Sequence, residues 1–76
     1  MTQKEFDGKS CLQRIISRGE KVIAELRSII ADTNYFNGLP QMKNHVPFDC
    51  EVDRVNLANM LETVRQAKEQ LAKHYP

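Results

Sequence analysis

The sequence contains none of the short motifs on which a catalytic assignment could rest. It has no nucleophile elbow, no HExxH zinc-binding pair, no phosphate-binding glycine loop and no paired inward carboxylates. Asp53 lies close to an apolar helical stripe, but an aspartate near the start of a helix is explained by the helix dipole. We therefore expect a protein that is not an enzyme and that uses no cofactor.

A strong net charge and a long apolar run are also missing. The formal charge is +1, which gives no electrostatic reason to bind DNA, RNA or an anionic membrane. No stretch reaches the roughly 18 consecutive apolar residues of a membrane-spanning helix. The N-terminal residues lack the apolar segment of a secretory signal. We expect a cytoplasmic protein that has no membrane partner and does not depend on nucleic acid.

Cysteine and histidine are too few for a structural metal site. The chain has 2 of each, and an antiparallel helical hairpin would place Cys11 near His74 and Cys50 near His45. Each end would then offer two ligands, whereas structural zinc requires four, a number that only a dimer joining two such ends could supply. The cysteines would lie roughly 30 Å apart, far beyond the range of a disulfide. The sequence therefore predicts two reduced thiols and no metal.

The first half of the chain does contain a long apolar repeat. Positions 12, 16, 19, 23, 26, 30 and 33 follow one another at steps of four and three, as in a helix that packs along a partner helix. Ile15, Val22 and Ile29 precede three members of this series and widen the stripe into a face. One short helix cannot cover so broad a face, and a chain of 76 residues buries little surface alone. The residues expected at an oligomer interface are Ile15, Ile16, Gly19, Val22, Ile23, Leu26 and Ile30.

Gly19 interrupts this stripe at a position where leucine is typical. Glycine in a helix costs about 1 kcal/mol relative to alanine, so a compensating contact is one interpretation. That contact would be a close helix crossing or a bulky side chain from a partner. The other interpretation is a tolerated glycine that leaves a local soft spot.

The predicted architecture is all-α. An antiparallel hairpin of two helices, 10–33 and 49–74, is expected to pair with a second copy into a homodimeric four-helix bundle. Residues 1–9 are expected to form a flexible segment, and residues 34–48 an ordered apolar loop. The second helix is expected to contribute four residues to the core: Leu57, Leu61, Val64 and Leu71.

Several residues predict where these helices begin and end. Ser10 and Gln13 have the spacing of a capping box, which satisfies free backbone N–H groups at a helix start. Asn34 and Gly38 are the expected stop signals of the first helix. Asp49 is expected to cap the second helix.

The predicted loop is unusually apolar. Its prolines and the Asn37-Gly38 pair exclude regular structure, yet aromatic, leucine and methionine side chains interrupt the polar residues. One interpretation is an ordered loop folded over the open end of the bundle. The other is an exposed surface that docks a partner protein. The partner-binding residues predicted here are Tyr35, Phe36, Leu39, Met42 and Phe48.

The second helix carries a second stripe, made of polar but uncharged side chains. Its members are spaced three, four, three and four residues apart, and they are Asn56, Asn59, Thr63, Gln66 and Gln70. Amides and hydroxyls suit a semi-buried interface because they form hydrogen bonds without the desolvation cost of ions. The alternative is an ordinary solvated flank. Asn56, Asn59, Thr63 and Gln66 are the predicted contacts of this stripe.

These features favour a small regulator or inhibitor that binds another cytosolic protein and acts by steric occupancy. One alternative is an oligomer that sequesters a small anionic ligand such as a nucleotide, with Arg54 or Arg65 brought together across an interface. Another is an RNA-binding hairpin dimer that uses Arg14, Arg18 and Lys21. Neighbouring glutamates dilute that basic patch, and no aromatic side chains interleave with it to stack bases.

Overall fold

The computed structural model describes residues 8–75, and all regular structure in this range is helical. Helix α1 spans Gly8–Asn37, a one-turn 3-10 helix spans Pro40–Met42, and helix α2 spans Glu51–His74. The two long helices pack against each other. The predicted all-α hairpin is confirmed. The expectation of a flexible N-terminal segment falls mainly on residues 1–7, which lie outside the described residues.

Contacts at both ends of the pair make the hairpin antiparallel. At one end, a Cβ atom placed on Gly8 would touch the hydroxyl group of Tyr75. At the other end, the rings of Phe36 and Phe48 stack with centroids 5.2 Å apart and 10° between their planes. The start of α1 therefore lies beside the end of α2.

Helix α1 is longer than predicted at its N-terminal end. The helix already includes Gly8 and Lys9, so Ser10 lies within the helix and not at its N-cap. The prediction that Ser10 and Gln13 form the capping box at the helix start is wrong. Among the described residues, the helix already begins at Gly8 and not at residue 10.

Helix α1 is also longer at its C-terminal end, where Asn34 does not stop it. The helix continues to Asn37, and the N–H of Gly38 donates to the carbonyl oxygens of Asn34 at 3.2 Å and Tyr35 at 3.1 Å. Tyr35 and Phe36 therefore belong to α1 and not to the loop. The extra turn is held by tertiary contacts, since Asn37 binds the backbone of Phe48.

Helix α2 begins close to its predicted start. Asp49 was expected to cap this helix, but it lies one residue before the N-cap. From there its Oδ1 accepts a hydrogen bond from the N–H of Glu51 at 2.9 Å and satisfies a free backbone group at the helix start. Cys50 occupies the N-cap position and is buried. Glu51 and Asp53 in the first turn and Lys73 in the last turn match the helix dipole.

The core is a narrow line of apolar side chains between the helices. Ile23, Leu26, Cys50, Val64 and Ala67 are buried, and none of the described side chains is fully enclosed. Leu61 was expected in this core, but it is 41% exposed. It lines an open groove at the edge of the helix pair, together with charged side chains such as Arg65 and Lys68.

The two helices approach each other closely at Gly19. A Cβ atom at this position would run into Cγ2 of Val64 and would lie 3.3 Å from Sδ of Met60. The interpretation of Gly19 as a close helix crossing is therefore confirmed. The bulky side chains that fill the gap come from α2 of the same chain.

Candidate interaction surfaces

Helix α2 covers only one edge of the broad apolar face of α1. Gly19, Ile23 and Leu26 are buried beneath α2. Ile15 and Ile29, on the other edge, are 38% and 46% exposed. Of the seven residues predicted at the oligomer interface, three are therefore buried within the chain, one (Ile15) is exposed, and the other three are half-buried: Ile16, Val22 and Ile30. Ile29 was not among the seven.

The polar stripe of α2 lies beside this open edge of α1. A shallow groove of about 210 Å³ is lined by Leu12 and Ile15 from α1 and by Thr63, Gln66, Ala67 and Gln70 from α2. Val22 and Ile29 follow Ile15 at heptad spacing and so continue the same edge. We call this combined surface the uncharged face. Its members are Ile15, Val22, Ile29, Asn56, Asn59, Thr63, Gln66 and Gln70.

Hydrogen bonding within the uncharged face leaves several amides available. Thr63 Oγ1 donates to the carbonyl oxygen of Asn59 at 2.9 Å, and Gln66 Nε2 donates to Glu62 Oε2 at 2.9 Å. The side-chain amides of Asn56, Asn59 and Gln70 make no hydrogen bond to another residue of the described range. These exposed amides can both donate to and accept from an approaching surface.

The opposite side of the hairpin carries charge. A groove of about 460 Å³ has an apolar floor and four charged residues at its rim, namely Glu20, Arg27, Arg65 and Lys68. Lys68 Nζ lies 3.0 Å from Glu20 Oε2 and bridges the two helices. We call this surface the charged groove. It differs from the uncharged face in that a partner covering it would have to desolvate ions.

Arg65 is already engaged by carboxylates of its own helix. Its guanidinium donates from Nε to Glu62 Oε1 at 3.0 Å and from Nη2 to Glu62 Oε2 at 2.7 Å, and it reaches Glu69 Oε1 at 3.3 Å. Hydrogen bonds from Arg65, and then from Gln66, hold the pKa of Glu62 below its usual value. Hydrogen bonding to Glu62 in turn raises the pKa of Arg65. An anionic ligand would compete with these internal partners.

The loop end of the hairpin is ordered by one side chain that sequence reasoning missed. Asn37 Nδ2 donates to the carbonyl oxygen of Phe48, and the N–H of Phe48 donates back to Asn37 Oδ1, both at 3.0 Å. The sequence indicates only a turn at Asn37-Gly38, because a bond to a residue eleven positions away leaves no local signal. This pair and the stacked rings of Phe36 and Phe48 join the two ends of the connection.

The loop end nevertheless exposes apolar side chains. Tyr35 is 73% exposed, Phe48 61% and Val46 88%, whereas Leu39 and Met42 are half-buried. Of the five partner-binding residues predicted in this region, Tyr35 and Phe48 are therefore exposed to solvent. The other three are half-buried: Phe36, Leu39 and Met42. Val46 is the most exposed large apolar residue here, although it was not among the predicted contacts.

Residues 8–75 contain no group of three or more His, Cys, Asp or Glu side chains that could hold a metal ion. Cys11 is exposed, Cys50 is buried, and both are free thiols. Neither α1 nor α2 is long and apolar enough to cross a membrane.

Comparison of the chain with protein-family models, curated proteins and solved structures finds no match. A functional assignment therefore has to come from the surfaces themselves.

Proposed function

We propose that this chain is a non-enzymatic binding protein that regulates or inhibits a partner protein. Two copies pair through their uncharged faces into a four-helix bundle. Each hairpin then presents its loop end, with Tyr35, Val46 and Phe48, to the partner. Regulation follows from steric occupancy of a site on that protein.

The hairpin is thin, and this shape supports the pairing of two copies. Its Cα atoms span 60 × 23 × 14 Å, so the fold is a single layer of two helices. Stable domains have at least two packed layers around a core. Within the described residues this single layer buries 5 apolar residues and leaves 9 large hydrophobic residues exposed. A second hairpin would supply the missing layer.

The surface area supports the same conclusion. The accessible surface is 5921 Å² for a chain of 8.8 kDa. A compact monomer of this mass would expose about 4,800 Å². The excess, on the order of 1,000 Å² by the same scaling, is comparable with the roughly 800 Å² that each partner buries in a standard protein–protein interface.

The loop end has the properties of a pre-organised binding tip. The Asn37–Phe48 hydrogen bonds and the Phe36–Phe48 stack fix the backbone while the outer surfaces remain exposed. Fixed aromatic side chains lose little conformational entropy on binding, and aromatic residues are enriched among the dominant contacts of interfaces. This arrangement favours protein binding at the loop end.

Native mass spectrometry of the protein as purified tests the assembly. A dimer without additional mass is the expected result. A monomer over the micromolar range would overturn the proposed pairing. Additional mass of a few hundred daltons per interface would instead favour a sequestered small ligand.

A matched pair of variants tests the loop end. Cross-linking in cells of the source organism, followed by quantitative proteomics, would compare the wild type with the double variant Tyr35→Ala/Val46→Ser. Leu61→Ser, which removes exposed apolar surface from α2 away from the loop end, serves as the control. We expect a protein that is enriched by the wild type and the control and lost with the loop variant. Equal enrichment by all three would refute the loop end as the anchor.

Sequestration of a small anionic ligand is the second candidate function. The observation that favours it is Arg27, which lines the charged groove and forms no ion pair with another described residue. Arg65, named for this role from the sequence, is bound by Glu62 and Glu69. The mass measurement above separates this candidate from the first.

A further inference from the structure

We infer that the second copy binds with a two-fold axis that runs across the helices, so that α1 packs antiparallel against α1 and α2 against α2. This inference rests on the proposed homodimer and specifies its geometry. It also assigns the uncharged face, and not the charged groove, to the second copy.

Two arrangements are possible when identical hairpins stack face to face. With the two-fold axis along the helices, α1 of each copy would lie over α2 of the other. With the axis across the helices, each helix would lie over its own counterpart in the other copy. Both are closed isologous dimers, in which a contact from residue i to residue j is repeated from j to i.

The chemistry of the uncharged face distinguishes the two arrangements. Its apolar residues Ile15, Val22 and Ile29 belong to α1, and its amides belong to α2. The exposed apolar exception on α2 is Val52, which lies at the upstream end of the amide stripe. An axis along the helices would place aliphatic side chains over the exposed amides of Asn56, Asn59 and Gln70. Those amides would lose water and gain no hydrogen-bond partner, which is unfavourable.

An axis across the helices avoids this mismatch. The aliphatic side chains of the two α1 helices would then bury one another, while the amides of the two α2 helices would face amides. Because an amide both donates and accepts, two such stripes can satisfy each other. Polar pairs of this kind inside a helical interface are known to fix register and oligomer state.

The spacing of the residues also sets the register. The apolar edge is symmetric about Val22, so antiparallel packing places Ile15 against Ile29 of the other copy and Val22 near the axis. Gly19 of α1 lies against Met60 and Val64 of α2, and Val22 lies one turn further along α1. Val22 is therefore level with Asn59 of α2. In the dimer, Asn59 of one copy would lie beside Asn59 of the other copy, near the two-fold axis.

Disulfide cross-linking tests the geometry. In a Cys11→Ser background, Val22→Cys and Asn59→Cys are prepared separately, and Ala24→Cys on the charged side is the control. Light scattering on each reduced variant first records whether it is a dimer. We expect Val22→Cys and Asn59→Cys each to form a covalent dimer with itself under mild oxidation, because disulfides need Cα atoms within about 7 Å. Ala24→Cys should remain uncross-linked.

The outcomes separate the geometry from the proposed dimer. If neither single variant links to itself but a mixture of Val22→Cys and Asn59→Cys forms the mixed disulfide, the axis runs along the helices and the inference is overturned. A dimer that cross-links only through Ala24→Cys would assign the interface to the charged groove and would also overturn it. Wild-type protein that is monomeric by light scattering would refute the proposed dimer itself.

Discussion

Val64 of α2 occupies the space that any side chain at Gly19 of α1 would need. A Cβ atom on Gly19 would overlap Cγ2 of Val64 and crowd Sδ of Met60 at 3.3 Å. The absence of a side chain at position 19 is therefore what allows the helices to approach at their midpoint. The cost of glycine in the middle of α1 is offset by this contact.

Gly19→Ala should destabilise the protein, although alanine is the better helix former. Alanine would gain about 1 kcal/mol of helix propensity, but overpacking a close contact costs roughly 1–3 kcal/mol. Thermal unfolding followed by circular dichroism should show a lower melting temperature at equal protein concentration.

Ser28→Ala provides the control for Gly19→Ala. Ser28 lies on the exposed side of α1, so alanine there improves propensity without meeting α2. Its melting temperature should stay the same or rise slightly. Any increase in melting temperature for Gly19→Ala would contradict the expectation that overpacking against Val64 outweighs the gain in helix propensity.

Asn37→Ala should release the loop from the end of α1. The substitution removes both hydrogen bonds to the backbone of Phe48, with a loss of about 1 kcal/mol. Faster amide exchange around Phe48 and Gly38, measured by NMR, would report the change. Asn34→Ala, whose side chain forms no hydrogen bond to another described residue, is the matched control and should leave exchange near Phe48 unchanged.

Glu62→Gln should change the pH dependence of stability in one direction. The pKa of Glu62 is lowered in the folded chain, chiefly by hydrogen bonding to Arg65. A lowered pKa means a contribution that is present above the unfolded value of 4.5 and is lost as the pH falls through the folded value. Wild type should therefore melt slightly above Glu62→Gln at pH 7, and the difference should shrink on acidification. A difference that grows below pH 4 would contradict the assigned sign.

Ile23→Asp and Ile29→Asp should differ, although both place a charge on the apolar side of α1. Ile23 is 8% exposed beneath α2, whereas Ile29 is 46% exposed on the uncharged face. A buried unpaired charge costs several kcal/mol, a large part of the stability of a small domain. Ile23→Asp should be unfolded at all concentrations, while Ile29→Asp should remain helical at high concentration and dissociate on dilution at least tenfold more readily than wild type. Circular dichroism and sedimentation over a dilution series would measure both, and identical behaviour of the two variants would contradict the division of this face.

Much of the fold could be predicted because it depends on periodicity. The heptad repeat that contains Ile23 and Leu26 identified α1 and its apolar side, but not which residues of that side meet α2. The boundaries were less accurate, since α1 continues past Asn34 to Asn37 for reasons that lie in the loop. Leu61 was misplaced because a stripe does not say which of its edges is covered.

The candidate surfaces were predictable only as separate parts. The aliphatic flank of α1 and the amide stripe of α2 can both be read from residue spacing. That Ile15 lies beside Thr63, Gln66 and Gln70 depends on which side of α1 the second helix occupies. The role of Asn37 was missed because its partner is distant in sequence.

The sequence by itself determined the two amphipathic helices, their polar and apolar stripes and the near absence of net charge, because these follow from the order of side chains at 3.6 residues per turn. Only the tertiary structure decided which edge of α1 remains open, that Gly19 admits Val64, and that Asn37 closes the loop on Phe48. These contacts join residues far apart in the chain. Their formation depends on how the two helices fit together, which local spacing does not encode.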